Sequence, residues 1–254
     1  MGTQRYMFGE ERKPMSGEEF IKKVLAGYRN FLRTELQDCC NLTCNYELKK
    51  YLEENAQYLN NNPIILDKSK LKGVNASGLY LRRLSAKEAR LEEANLSGAY
   101  LFEAYLREAD LKRADLGWAY LRRADLRKAN VKEACLMRAD LVEADLWEAD
   151  LKKASLWEAD LTEAILVGVY LEEADLRGAK LEEANLRGAC LRGADVEGAD
   201  LTQVNFTQTD LRGVNNLDRA RGLGTAYFYK TKVTPKEEAI IKEAWKKERI
   251  LVVE

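Results

Sequence analysis

The chain has no histidine and only three prolines in 254 residues. Without an imidazole it has neither the usual general base near neutral pH nor the commonest metal ligand. No glycine-rich phosphate loop and no nucleophile elbow is present, so the sequence points away from an enzyme, and no cofactor is expected. No apolar run approaches the ~20 residues that a membrane span needs. No leader-type segment precedes the first helix, and a soluble cytoplasmic protein is the expectation. Charge of one sign is also lacking: 41 Lys and Arg balance 42 Asp and Glu, a net of −1. That balance argues against direct nucleic-acid binding. The five cysteines include a cluster, Cys39, Cys40 and Cys44. It reads either as small buried thiols or as a disulfide that clamps the segment. Zinc is not favoured, with no histidine and no fourth nearby cysteine.

What the chain has instead is a five-residue unit repeated thirty times without a gap from Leu66 to Asn215. Its clearest form is Ala-Asp-Leu-x-x, as in Ala139-Asp140-Leu141. On an α-helix a period of five carries successive leucines around the axis, and on a flat strand it throws them to opposite faces. A chain that turns a corner of about 90° every five residues keeps every leucine inside. Four units then close one coil of twenty residues, and coils stack at about 4.8 Å through backbone hydrogen bonds. Thirty units make about 7.5 coils, a rod of roughly 36 Å.

Residues twenty apart test this reading. Tyr80, Tyr100 and Tyr120 recur at that interval, and charges alternate in the columns Glu93, Arg113, Glu133, Lys153, Glu173 and Arg83, Glu103, Arg123, Glu143. Leucine fills the central position in 25 of 30 units; Ala76, Ala86, Val131, Val196 and Phe206 are the exceptions. Alanine stands two residues earlier without a break from Ala89 to Ala164. One large and one small inward residue per side fill a narrow interior without a pore.

These residues resemble the pentapeptide repeat protein family over 66–215. The resemblance implies an all-β solenoid, a four-sided right-handed β-helix. It also implies helical caps whose C-terminal member often mediates dimers. Some members of the family protect DNA gyrase, a type II topoisomerase, as mimics of duplex DNA.

The flanks read as caps. Residues 1 to about 15 look extended or disordered. Ser16 with Glu19 forms a capping box, and Phe20, Val24, Leu25, Tyr28, Phe31, Leu32 and Leu36 recur at helical spacing, so a helix is expected over 17–37. A second is expected over 46–59, within an N-terminal cap segment 1–65. The β-helix is expected over 66–223. After Gly222 and Gly224, Thr234-Pro235 with Glu237 starts a last helix over 235–249, with Ala239, Ile240, Ala244 and Trp245 as its apolar stripe. Trp245 and the tail Ile250-Leu251-Val252-Val253 are candidates for a homodimer contact in segment 224–254.

Function is expected on the surface. The four sides are numbered by their central residues: Leu106 lies on side one, Leu111 on side two, Leu116 on side three and Leu121 on side four. The corner of sides three and four gathers outward Tyr80, Tyr100, Phe102 and Trp118, with Tyr120, Met137, Val142 and Trp157. This is either a protein-binding patch or a stacking ladder that stiffens the rod. Sides one and two carry a basic strip, Lys87, Arg107 and Arg127 beside Lys112, Lys132 and Lys152, which could hold an anionic partner or be a solvated face. Asp140 and Asp160, one coil apart, could attract a cation. The leading expectation is a non-catalytic scaffold that binds another protein through the rod or its caps. The alternative is a DNA-mimic inhibitor or protector of a type II topoisomerase.

Overall fold

The computed structural model describes residues 14–37 and 40–251, with side chains described to residue 247. Its body is a ladder of parallel single-residue bridges at twenty-residue intervals, such as Tyr80↔Tyr100↔Tyr120↔Asp140 on side four and Asp110↔Asn130↔Asp150 on side two. Each side hydrogen-bonds in both directions along the rod. The Tyr120 N–H donates back to Ala99 O at 2.9 Å, and the Leu121 and Arg123 N–H groups donate forward to Asp140 O at 2.7 Å and Val142 O at 3.0 Å. The Ala124 N–H then closes the corner on Leu121 O at 2.9 Å, with Arg123 at φ 59°. A closed i to i+3 turn with positive φ at its third residue is a type II turn. The repeat therefore places its fifth residue in the left-handed region at nearly every corner, whether it is Gly98, Glu103 or Trp118.

The Asp or Asn before each leucine has a structural task. Asp145 Oδ1 accepts the Trp147 N–H at 3.1 Å, and Asp200 Oδ1 accepts the Thr202 N–H at 3.1 Å. The amide that the turn leaves unpaired is satisfied by the side chain two residues earlier. Leucine and alanine positions fill the interior; Ala104, Leu106, Ala119 and Leu121 are wholly buried.

The ladder starts before the repeat does. Helix α1 covers Gly17–Leu25 and is capped by Ser16, whose hydroxyl accepts the Glu19 N–H at 3.1 Å. It does not run on to residue 37. The chain turns at Gly27 (φ 91°) and lays down three further rungs, Asn30↔Ile65, Glu35↔Lys70 and Asn41↔Asn75. Phe31 and Leu36 are five residues apart and point into the core, whereas Tyr28 and Leu32 are exposed. Over so short a stretch an apolar pattern at helical spacing and one at five overlap. The unpaired edge of the first repeat coil decides between them: Phe31 N–H donates to Ile65 O and Ile65 N–H to Arg29 O, both at 2.7 Å.

The fourth side of this first coil is replaced by helices. The expected single helix over 46–59 is two: α2 (Tyr46–Glu54), capped by Asn45, and α3 (Ala56–Asn61). Leu48, Leu52 and Leu59 are buried against the end of the rod. Arg29 ties the parts together. Its guanidinium donates to the Val24 and Tyr28 carbonyls at 2.9 and 2.7 Å and to the Tyr51 hydroxyl, and it lies over the Tyr51 and Tyr58 rings.

At the other end the ladder passes Leu223 and continues through Arg221, Tyr227 and Lys232, which pair with Asp200, Asn205 and Asp210. Two corners gain one residue each. They form the short 3-10 turns Leu217–Arg219 and Leu223–Thr225, entered through left-handed Asn216 and Gly222. At Gly222 a Cβ would stand 2.6 Å from the Thr202 backbone nitrogen, so glycine is required for the close approach as well as for φ. Helix α4 (Pro235–Leu251) packs over these turns. Ile241, outside the expected stripe, is the most buried apolar residue among those of the helix whose side chains are described, and Ala239 is exposed. Glu237 is buried and accepts the Thr234 N–H at 2.7 Å as well as the Thr234 hydroxyl. Burial opposes its ionisation, but bonds from Thr234 and from the Gly213 backbone outweigh that and hold its pKa below the ordinary value.

Two outcomes are expected. Phe31→Ala should lower unfolding free energy by about 3 kcal/mol, while Leu32→Ala should cost less than about 0.5 kcal/mol; urea titrations measure both, and equal losses would restore the longer helix. Because the Glu237 pKa is lowered on folding, its contribution is complete above the unfolded value of ~4.3 and is lost as pH falls through the lower folded value. The difference in Tm between wild type and Glu237→Gln should therefore shrink as acid is added below that range.

Candidate functional site

The expected aromatic corner is a whole face. Tyr80, Tyr100 and Tyr120 are successive rungs along the middle of side four. Trp118, Met137 and Trp157 lie in the turns that enter this side, and Phe102 and Val142 in the turns that leave it. The tyrosines stack, with ring centroids 5.6 Å apart for Tyr80–Tyr100 and 4.7 Å for Tyr100–Tyr120; Phe102 lies 5.6 Å from Tyr120. The ladder is real, yet it leaves surface free: Tyr100 and Tyr120 are more than a third exposed and Trp118 is 55% exposed. Trp157 is half-buried beneath Arg138, whose guanidinium carbon is 4.8 Å from the ring centre. Met137 is half-buried and Val142 buried, so Val142 offers little to a partner.

Arginines rim the leaving edge of this face. Arg82 and Arg83 reach Glu103 at 3.0 and 3.7 Å, Arg122 reaches Asp140 at 3.7 Å, and Arg123 pairs with Glu143 at 2.8 Å. The Nε atoms of Arg82 and Arg83 are buried without a hydrogen-bond partner. Farther along the same edge stand Glu163, Glu182 and Glu183, all exposed; no ion pair to them is found among the described residues. The edge thus runs from basic to acidic along the rod. In the sequence Arg83 and Arg123 stand out only as members of an alternating charge column, and Arg82, Arg122, Glu163, Glu182 and Glu183 do not stand out at all.

Five of the six cations in the basic strip of sides one and two meet a carboxylate. Arg107 meets Glu108 at 3.2 Å, Lys112 meets Glu133 at 4.0 Å, and Lys132 meets Asp150 at 3.0 Å. Arg127 forks onto Asp125 at 2.6 Å and also reaches Asp145 at 3.5 Å. Burial works against the Asp125 carboxylate, but this fork outweighs it and holds the pKa below its usual value. Lys152 pairs with Glu172 at 3.2 Å, which raises its pKa, and Lys87 lies over the Tyr105 ring. The alternating columns close as couples, including Arg113–Glu133 at 2.8 Å and Lys153–Glu173 at 3.4 Å.

Cys40 is half-buried and Cys44 exposed, both as free thiols, and burial raises the Cys40 pKa. Cys39 lies outside the described residues. Asp160 takes Lys180 at 3.1 Å, and among the described residues no group of three or more metal-ligating side chains is placed to hold an ion. Trp245 packs edge-on against Phe228 at 5.9 Å, and Phe228 stacks on buried Phe206 at 5.4 Å. Trp245 is therefore engaged within its own chain, though still 39% exposed. The tail side chains lie outside the description, as do residues 1–13 and 252–254. Other exposed aromatics, Tyr170, Tyr227 and Tyr229, fall outside side four. A void of about 40 Å³ near the α2 end has a wholly apolar lining that includes Ala76. No helix among the described residues is long and apolar enough to cross a membrane.

The family model for pentapeptide repeats matches in eight copies over residues 65–101, 99–141, 139–178 and 179–215. The chain belongs to the pentapeptide repeat family. Its fold is the right-handed β-helix solenoid of that family, a repeat scaffold. Among solved structures it is similar to HetL, a pentapeptide repeat protein involved in heterocyst differentiation regulation from the cyanobacterium Nostoc sp. strain PCC 7120. Identity is 29%, covering 86% of this chain and 94% of HetL, at a TM-score of 0.42. It is also similar to QnrB1, a plasmid-mediated fluoroquinolone resistance protein, at 19% identity over 70% of this chain and 88% of that one, TM-score 0.49. At these scores the likenesses add no argument to the family match. A comparison with the curated proteins finds no match.

The pentapeptide turn that carries Trp118 supplies a test. This residue is left-handed (φ 54°) and mostly exposed. Trp118→Gly should leave stability unchanged or raise it by up to about 1 kcal/mol. Tyr100→Ala, which breaks two stacks, should cost about 1 kcal/mol. Denaturant midpoints measure both; a large loss from Trp118→Gly would make the tryptophan a structural residue.

Proposed function

We propose that this pentapeptide repeat protein is a non-catalytic interaction scaffold that binds another protein through side four. One observation carries the reading: bulky apolar groups stay exposed on side four beside Arg82 and Arg83, which share one carboxylate, while the charges of the other sides are largely consumed within the rod. Aromatic and arginine side chains on a rigid support are what binding sites are enriched in. In this reading α1–α3 and α4 cap the two ends of a four-sided rod. Each end would otherwise present open strand edges and apolar core.

The DNA-mimic reading has Glu163, Glu182 and Glu183 in its favour. The total charge weighs against it: residues 66–215 hold 23 Lys and Arg against 27 Asp and Glu, a net of −4. Duplex DNA of the same ~36 Å length carries about −20. Most carboxylates here also face a cation of their own chain.

Affinity capture from the native host with the tagged chain tests the leading reading. The Trp118→Ala/Trp157→Ala variant is expected to lose the captured protein while a surface change on side two, such as Lys132→Ala, keeps it. An unchanged set of captured proteins would remove side four from the account.

A further inference from the structure

We propose that the partner seated on side four is a second copy of this chain, docked antiparallel about a two-fold axis between the Tyr120 and Asp140 rungs. The inference rests on the reading of side four as the docking face and names its occupant.

A two-fold axis lying across the rods reverses their direction and keeps each edge of the face against the same edge of the partner, so one patch must complement itself. With the axis between Tyr120 and Asp140, the Tyr80 rung meets the Lys180 rung, Tyr100 meets Asp160 and Tyr120 meets Asp140. At the edge that leaves the side, this brings Arg82 and Arg83 against Glu182 and Glu183. The first pair shares the single carboxylate of Glu103 and so carries one positive charge in excess, and the second has no ion pair among the described residues. Each deficit is what the other supplies, and it is supplied twice by symmetry.

The opposite edge agrees by shape. There the same operation puts Trp157 over Ser97 and Gly98, and a Cβ on Gly98 would find open space. It also sets exposed Trp118 against Met137, a favourable sulfur–aromatic combination. In the middle, the Tyr80 ring meets the Lys180 ammonium, a cation–π pairing. Among residues placed directly opposite, the one like-charge pair is Glu103 with Glu163, and Glu103 is already neutralised by Arg82 and Arg83; Asp140 and Glu143, which approach their own copies across the axis, are paired with Arg122 and Arg123. With the rods parallel, Arg82 and Arg83 would meet Ser77 and Gly78 instead and gain no partner. The charge gradient along one edge and the small-to-large gradient along the other therefore select the same antiparallel register.

Charge reversal tests this without relying on loss alone. Sedimentation should show wild type passing from one chain mass to two as concentration rises, with the dimer retreating as salt is added. R82E/R83E and E182R/E183R should each stay monomeric, because every contact then pairs like charges. An equimolar mixture of the two variants should recover the dimer, since both contacts become attractive again. Glu182 and Glu183 are exposed, so the second variant keeps the fold even if the first disturbs the Arg83 contact to Asn60 O. A wild type that remains one chain in mass at every concentration, or a mixture that stays monomeric, overturns the proposal. If the wild type is monomeric while Trp118→Ala/Trp157→Ala still abolishes capture of another protein, the second copy is wrong and side four remains the docking face.

Discussion

Everything in this molecule depends on the backbone ladder that locks residues twenty apart. Each side donates one amide to the coil below and others to the coil above, so no coil can slip without breaking bonds on both faces. A slip of one residue would also drive an Asp or Glu into an interior built almost wholly of apolar side chains. The ladder is strong enough to recruit sequence that lacks the repeat. Asn30, Glu35 and Asn41 at one end, and Arg221, Tyr227 and Lys232 at the other, join the ladder because the edges they cover would otherwise be bare. It even holds charged and aromatic residues in left-handed corners that glycine would occupy at less strain.

That rigidity turns the surface into a grid. Outward side chains sit at fixed intervals along four sides, and each charge meets neighbours one coil away. Over much of the grid the outcome is neutralisation: Arg113 with Glu133, Arg127 with Asp125, Lys132 with Asp150. Exposed ion pairs of this kind contribute little stability, but they leave little free charge for a partner. Side four differs. Its tyrosines stack face to face as a ladder and still expose their edges, Arg82 and Arg83 share one carboxylate, and Glu163, Glu182 and Glu183 have no ion pair among the described residues.

The period, the inward leucine and alanine and the twenty-residue columns were legible in the sequence because a strict repeat reports its own geometry. The reason for Asp and Asn before leucine was not read from it, since the amide they satisfy belongs to a turn whose type only the structure shows. Residues 26–37 misled because Phe31 and Leu36 fit a helical stripe and a five-residue period alike, and only the partner edge at Ile65 separates them. The basic strip on sides one and two reads in sequence as a solvated face or an anion site; which carboxylates meet it depends on contacts between neighbouring positions and coils. The aromatic cluster was found but assigned to one corner; Phe102 and Trp118 stand at opposite edges of side four, as the direction of the turns dictates.

The central claim is that side four is the docking face of the rod. Hydroxyl-radical footprinting of the full chain, dilute and purified against concentrated or in extract of its native host, reads it most directly. Loss of reactivity at Trp118, Trp157, Tyr100 and Tyr120, with Tyr170, Tyr227 and Tyr229 unchanged, is the expected result. Protection of Tyr170, Tyr227 or Trp245 while the side-four residues keep their reactivity would contradict it.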